Sequence, residues 1–158
     1  MTLENKRITE NYYNLKVDFN TVGNIMSSGE RESYFSSKWS RGREIDGTFQ
    51  IKNIEKMPLF VDLYKKLEND FNSVKAFKTN LDIFFSFRPG ATSNIHKDTY
   101  QVYILAVMGM TAYRINNNKF FIKPGNLINI KPGEIHQAIS LDPRIVVSYE
   151  TRRDPEKK

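Results

Sequence analysis

The chain has 158 residues and a formal net charge of +6, with 24 lysines and arginines against 18 aspartates and glutamates. A length of this order corresponds to about one domain, so we expect residues 1–158 to form a single domain. The absence of cysteine excludes disulfides, thiolate zinc sites and a cysteine nucleophile. No apolar run is long enough to span a membrane or to act as a signal peptide, which predicts a cytoplasmic protein with no membrane partner.

The N-terminal half contains one clear helix pattern. The first thirty residues are polar and weakly periodic, and "GNIMSSGERES" at residues 23–33 predicts a loop. Residues 47–54 alternate in polarity, which indicates a strand. An amphipathic helix is expected at about residues 58–72, because Pro58 suits a first turn and apolar residues then recur at three- and four-residue steps. These residues are Phe60, Leu63, Tyr64, Leu67 and Phe71.

The second half is a series of short segments rich in β-branched and aromatic residues, separated by turns containing Pro, Gly and Asn. Many short strands at this spacing predict a sandwich or a barrel. The segments are residues 80–87, 101–109, 110–115, 119–122, 126–130 and 144–150. We therefore expect a mainly β protein with a helical N-terminal elaboration (1–79), a β core (80–150) and a flexible tail (151–158).

The chain has only two histidines, and one of them lies two residues before an aspartate. In an extended segment His96 and Asp98 point to the same face, so they can bind one metal ion together. A third ligand must come from elsewhere, and His136 is the only other histidine. Two histidines and one carboxylate form the facial triad of non-haem Fe(II) oxygenases, which leaves positions open for other ligands.

The residues around these ligands resemble the two motifs of the cupin superfamily. The first motif matches Gly90, five residues, His96, Lys97 and Asp98, and the second runs from Gly125 to "KPGEIH", which ends at His136. Lys131 stands where the second motif often has proline. The resemblance covers about residues 80–149, and it implies a double-stranded β-helix, or jelly roll, in which the two motifs lie on facing sheets and the ligands converge inside the barrel.

The HxD form of the first motif is similar to that of 2-oxoglutarate-dependent Fe(II) oxygenases, and most of all to small cupin-like oxygenases of bacteriophages. This resemblance implies Fe(II) as the metal, 2-oxoglutarate as the co-substrate and a dioxygenase activity. Arg144 would then bind the far carboxylate of 2-oxoglutarate, since arginine pairs with carboxylates bidentately. Ser148, on the same strand face, and Tyr103 would support it, and Ser93 is a further candidate.

The chain departs from the Jumonji-type pattern at one position, and several alternative functions remain. In the Jumonji-type branch the co-substrate cation lies on the strand after the HxD motif, where this chain has the neutral Thr111. Arg114 is out of phase with Thr111, and we expect it outside the barrel. The chain could be a metal-binding cupin without 2-oxoglutarate chemistry, as another dioxygenase, an isomerase or a non-catalytic binding module. A basic nucleic-acid-binding domain is a further alternative.

The sequence does not identify the substrate, which could be a small molecule, a peptide or a nucleic acid. The densest basic cluster, "KWSRGR" at residues 38–43, fits either a substrate contact or a solvated surface. The resemblance to cupins also allows a homodimer, since cupin barrels often pair through their N-terminal strands.

Overall fold

The computed structural model describes residues 3–28, 33–35, 48–71, 78–90 and 93–152. The N-terminal part contains a short 3-10 turn (Leu3–Asn5), strand β1 (Ile8–Thr9) and helix α1 (Phe19–Ser27), and a second helix, α2 (Val61–Phe71), follows later. The other strands are β2 (Ser33–Phe35), β3 (Phe49–Ile51), β4 (Lys78–Ser86), β5 (Gln101–Met108), β6 (Thr111–Ile115), β7 (Asn118–Ile122), β8 (Leu127–Ile130), β9 (His136–Ser140) and β10 (Arg144–Arg152).

The strands form two antiparallel sheets. The larger sheet has the order β1-β8-β5-β10-β4-β3-β2, and the smaller has the order β7-β6-β9. Backbone bonds also attach the segment that contains Gly90 and Ser93 to the free edge of β9. The amides of Gly90 and Ser93 donate to the carbonyls of Ser140 (2.8 Å) and Ala138 (3.0 Å). This segment brings the first cupin-like motif beside the second at the edge of the smaller sheet, and not onto a facing sheet as expected.

The two faces of the larger sheet bury different cores. One face packs against the smaller sheet through an inner cluster that includes Ile104, Val146, Tyr113 and Ile115. The opposite face packs against both helices through an outer cluster that includes Leu63. The period of two along each strand separates these faces, so β10 contributes to both cores.

Helix α2 is amphipathic, as the sequence predicts. Its buried residues Leu63, Leu67 and Phe71 lie against the outer face of the larger sheet, and each fully buried side chain contributes about 1.5–3 kcal/mol. The OH group of Tyr149 on β10 donates to Glu68 Oε1 at 2.5 Å, which joins the helix to the sheet.

Helix α1 corrects the loop expected at the N-terminal part of residues 23–33. Asp18 caps this helix, because its side chain accepts the amide of Thr21 at 2.8 Å. Val22 and Ile25 are buried against the outer core. Tertiary packing and the cap therefore outweigh the poor helix propensity of a segment rich in Asn, Thr, Gly and Ser.

The observed strands also depart from the expected ones. Strand β9 lies in a stretch for which no strand was expected, and β10 extends to Arg152, two residues into the expected tail. The basic cluster at 38–43 and residues 153–158 lie outside the described residues. In the described ranges, neither helix has the length and apolar character required to cross a membrane.

Gly109 provides a test of how the two sheets are joined. It has a φ of +71°, and a Cβ atom at this position would lie 2.2 Å from the carbonyl oxygen of Pro143. Gly90 has a φ of +82° but no atom within 4 Å of such a Cβ. We expect Gly90→Ala to cost about 1 kcal/mol from backbone strain alone, and Gly109→Ala to cost about 1–3 kcal/mol more because the backbone must move. Urea unfolding of both variants measures the difference, and equal losses would contradict the close approach.

Candidate metal centre and adjoining cavity

Backbone pairing brings the three predicted metal ligands together. The amide of His96 donates to the carbonyl of His136 at 3.1 Å, and the amide of His136 donates to the carbonyl of His96 at 2.8 Å. The amide of Gly133 donates to the carbonyl of Asp98 at 2.7 Å. These bonds place the two imidazole rings with centroids 4.2 Å apart. The site therefore depends on pairing between segments that are far apart in sequence.

The ligand atoms are close to the spacing that one metal ion needs. Asp98 Oδ2 lies 3.9 Å from His96 Nε2 and 3.6 Å from His136 Nε2, and the three ligand atoms lie within 4.8 Å of one another. Metal–ligand distances of about 2.0–2.2 Å at right angles require ligand atoms about 3 Å apart. Small rotations of the side chains would close the remaining gap.

The other ring nitrogens orient both histidines for metal binding. The Nδ1 atom of His96 lies 2.7 Å from the carbonyl oxygen of Asn94, and that of His136 lies 3.0 Å from the carbonyl oxygen of Glu134. A neutral imidazole donates Nδ1–H to such a carbonyl and keeps the Nε2 lone pair for a metal. Burial lowers the pKa of His136, which favours this neutral form. The donor set therefore fits a divalent metal ion.

Sequence reasoning missed the support that Arg7 gives to this centre. The guanidinium donates from Nη1 to Glu134 Oε2 at 2.7 Å and from Nη2 to Glu134 Oε1 at 2.6 Å. Glu134 Oε2 also accepts the amide of Lys131 at 2.8 Å, which closes the turn before His136. The Arg7 ion pair holds the pKa of Glu134 below its usual range. No local pattern reveals this pair, because 127 positions separate the two residues.

A cavity of about 550 Å³ adjoins the three ligands and lies between the two sheets. Its walls combine apolar side chains with several buried polar and charged ones. The lining includes Thr48, Asn80, Asp82, Ser93, Tyr100, Tyr113, Arg144, Ser148 and Glu150. A metal site that opens into a partly apolar cavity is suited to a small co-substrate and part of a larger substrate.

Arg144 is a buried cation in this cavity. It is 1% exposed, and its Nη2 atom donates to Thr48 Oγ1 over a long 3.4 Å. Within the described ranges, no hydrogen-bond acceptor reaches Nε or Nη1 and no carboxylate lies within 4 Å. Burial lowers the pKa of Arg144, and the nearby phenol of Tyr113 opposes this effect. A buried guanidinium without a carboxylate is costly, so its surroundings fit an anionic ligand.

Two other candidate residues, Ser148 and Ser93, line the same cavity. Ser148 is buried and lines the cavity on the same strand face as Arg144. Ser93 also lines the cavity, but its hydroxyl accepts the amide of Ala138 at 2.9 Å and so fixes the edge of β9.

Two residues lie away from the cavity. Tyr103 points to the opposite face of the larger sheet, where it stacks on Phe71 with ring centroids 4.0 Å apart. Contrary to expectation, Tyr103 therefore does not lie where it could support Arg144. Neighbouring positions on a strand face opposite sides, and Tyr103 is on the side away from the cavity. Arg114 is exposed on β6 and does not line the cavity, as expected.

Comparisons with known proteins identify the architecture. No family model and no curated protein matches the chain. The structure of YcfD, a ribosomal oxygenase from Escherichia coli, in complex with cobalt and 2-oxoglutarate aligns with a TM-score of 0.73 at 17% identity, over 95% of this chain and 48% of that one. Rru_A2000 from Rhodospirillum rubrum, a cupin-2 domain, aligns with a TM-score of 0.53 at 12% identity, over 78% of this chain and 72% of that one. The fold is a cupin-type jelly roll.

The likeness confirms the fold class expected from the sequence. The same E. coli protein in complex with cobalt and succinic acid aligns with a TM-score of 0.70 at 17% identity, and again the chain covers 95% of its own length and 48% of that chain. This chain therefore spans about half the length of the E. coli chains. At such identities the likeness concerns the fold, and the resemblance to bacteriophage oxygenases stays a prediction.

The metal centre predicts a sharp dependence on Asp98. We expect the protein to bind Co(II), a divalent ion with a visible spectrum, and Asp98→Asn to weaken binding by more than about 100-fold because one anionic ligand is lost. Visible absorption during a Co(II) titration gives the affinity. Asp62→Asn, an exposed carboxylate on α2, is the matched control. Equal affinities for the two variants would rule out the His96, Asp98 and His136 centre.

The Arg7 ion pair predicts an effect on the metal from outside the ligand set. We expect Arg7→Met to weaken Co(II) binding by about 10-fold or more, because the carbonyl of Glu134 no longer orients His136 firmly. Arg114→Met removes an exposed arginine and should leave the affinity unchanged. Unfolding curves recorded beside the titrations separate a weaker site from a less stable protein. A loss of stability without any loss of Co(II) affinity would limit Arg7 to a structural role.

Proposed function

We propose that this protein is a non-haem Fe(II), 2-oxoglutarate-dependent dioxygenase that hydroxylates a substrate not yet identified. The observation that carries the proposal is the pairing, in one cavity, of the His96, Asp98 and His136 cluster with the buried guanidinium of Arg144, which has no carboxylate within 4 Å in the described part of the chain. The first could hold a metal ion, and the second could hold an anionic co-substrate.

In this proposal His96, Asp98 and His136 hold Fe(II) as a facial triad. When bound, the iron would couple oxidation of 2-oxoglutarate by O2, which gives succinate and CO2, to insertion of one oxygen atom into a substrate C–H bond. Imidazole and carboxylate ligands suit ferrous iron, and the absence of cysteine leaves no thiolate to compete with them.

In this proposal Arg144 binds the co-substrate and fixes its position in the cavity. Its Nε and Nη1 atoms, which have no acceptor among the described residues, can donate a fork of hydrogen bonds to the far carboxylate of 2-oxoglutarate. The ion pair would form in a nearly dry environment, since Arg144 and Tyr113 are both buried. Burial raises the pKa of Tyr113, so its phenol stays protonated and can also donate to the carboxylate.

Part of the cavity wall is apolar. Ile104, Val146 and Ala138 line the cavity between the two sheets. Apolar walls of this kind strengthen the hydrogen bonds and charge pairs made inside the cavity. Ser148 adds a buried hydroxyl on the same face as Arg144.

The comparisons support the proposal without deciding it. The E. coli protein that shares the fold has been crystallised with cobalt and 2-oxoglutarate, and with cobalt and succinic acid. A metal-binding cupin without 2-oxoglutarate chemistry is the second candidate. It is favoured by the neutral Thr111 on β6, where Jumonji-type enzymes carry the co-substrate cation.

The two candidates differ in what Arg144 does. With anaerobic protein and Fe(II), we expect 2-oxoglutarate to produce a weak visible charge-transfer band, and we expect slow succinate release in air. Arg144→Met should raise the Kd for 2-oxoglutarate by about 10-fold or more while Co(II) affinity stays unchanged, since the arginine pairs with the carboxylate and not with the metal. Arg114→Met is the matched control.

Metal binding that needs Asp98, with no 2-oxoglutarate-dependent band and no succinate, would remove the oxygenase proposal and keep the metal-binding cupin. Arg144→Lys keeps the charge, so it serves as a second variant if Arg144→Met does not fold.

A further inference from the structure

A second polar site lies in the cavity, on the part of the larger sheet that the proposed reaction does not use. Asn80 and Asp82 of β4 stand opposite Glu150 and Ser148 of β10, respectively. All four line the cavity and are at most 8% exposed. Cross-strand neighbours of this kind have Cβ atoms about 4.5–5.5 Å apart, so the four side chains form one continuous patch.

Asp82 organises the donors in this patch. Its carboxylate accepts Gln50 Nε2 at 2.9 Å, Asn80 Nδ2 at 3.2 Å and the amide of Asn53 at 2.9 Å. Because the NH2 groups of Asn80 and Gln50 point at Asp82, their carbonyl oxygens point away from it. Asn80 Oδ1 is buried, and in the described part of the chain it has no hydrogen-bond donor.

Glu150 adds a second buried carboxylate. Its Oε2 atom accepts Arg152 Nη2 at 3.0 Å. Burial raises the pKa of Glu150, and the nearby carboxylates of Asp82 and Asp98 raise it further, while Arg152 opposes them. The patch therefore offers buried acceptor oxygens, and a cation placed beside them would favour the charged form of Glu150.

Three basic residues, Lys52, Lys78 and Arg152, also line the cavity, and Arg152 contacts the patch through Oε2 of Glu150. Lys78 and Arg152 are exposed at the rim. They occupy opposite positions at the ends of β4 and β10. Arg144 lies six residues from Glu150 along β10, which corresponds to about 20 Å of extended strand. The cavity thus has one buried cation at one end and a buried acceptor patch towards the other.

We propose that Asn80, Asp82 and Glu150 bind a cationic nitrogen group of the substrate, an ammonium or a guanidinium. This inference rests on the proposed function, because it assigns the substrate subsite of the same cavity. Ammonium and guanidinium groups carry only donors, so they complement a wall whose free groups are acceptors. Their positive charge offsets the cost of keeping two carboxylates buried near each other.

The wall beside the patch suits the carbon chain that would carry such a group. Val102 and Ile104 of β5 and the half-buried ring of Tyr100 line the cavity next to the acceptors. An alkyl chain could lie on these side chains while its charged end meets Asp82 and Glu150.

The test uses small probes that differ in charge at similar size. The full chain loaded with Co(II), and the same chain without metal, are titrated with n-butylguanidinium, n-butylammonium, neutral n-butylurea and pentanoate, and binding is followed by NMR chemical shifts. We expect both cations to bind at least about tenfold more tightly than n-butylurea. Asp82→Asn and Glu150→Gln should each remove about tenfold of that preference, whereas the exposed Glu10→Gln should remove none.

Several outcomes would overturn the inference. Equal binding of n-butylurea and the cations would do so, and so would preferred binding of pentanoate that depends on Lys78 and Arg152. If Asp82→Asn fails to fold because Asn53 loses its partner, Glu150→Gln and Asn80→Leu carry the test alone. A cation preference unchanged in both variants would also overturn it.

The same measurements separate this inference from the proposed function. Succinate release that requires 2-oxoglutarate, together with no cation preference, would keep the dioxygenase and remove the cation subsite. A cation preference that requires Glu150 in the metal-free protein, with no 2-oxoglutarate-dependent succinate, would keep the subsite and remove the dioxygenase.

Discussion

Alternation along β10 is the constraint on which the cavity depends. The strand pairs with β4 on one side and β5 on the other, and all of its residues except Arg152 are buried. Ile145, Val147 and Tyr149 face the helices, so the residues between them must face the smaller sheet. A shift of pairing by one residue would put Arg144 and Glu150 into the outer core and the aliphatic residues into the cavity.

The same alternation explains why polar chemistry can exist inside so small a protein. The outer cluster, with both helices and the large aromatic residues, supplies most of the apolar burial. The inner face is then free to carry buried charged groups, which cost stability when they lack partners. Stability and chemistry are thus divided between the two sides of one sheet.

Much of the site could be predicted from local patterns. His96 and Asp98 follow the period of two, Arg144 and Ser148 do so again, and the turn residues before His136 mark where the chain reverses. These features depend on residues that lie close together in sequence. The fold class follows from the same short-range signals, because strand length and turn spacing are local properties.

Other features depend on tertiary contacts that no short window contains. The alternation along β5 predicts only that Tyr103 faces the opposite side from Val102 and Ile104. The packed structure is needed to show that Val102 and Ile104 face the cavity and Tyr103 does not. The Arg7 and Glu134 pair joins opposite ends of the chain. Helix α1 has a weak sequence pattern because its stability comes from packing and from the Asp18 cap. Sequence reasoning therefore fails where the deciding partner is distant.

Strand β1 has a consequence for how the protein behaves in solution. Its two residues cover the outer edge of β8, which would otherwise present unpaired backbone groups. Arg7, immediately before β1, donates from Nη1 to the carbonyl of Asn129 on β8 at 2.5 Å while also holding Glu134. Detachment of this short strand would thus loosen the metal ligands and, at the same moment, open an edge to which a second chain could add. Loss of metal and self-association would then share one cause.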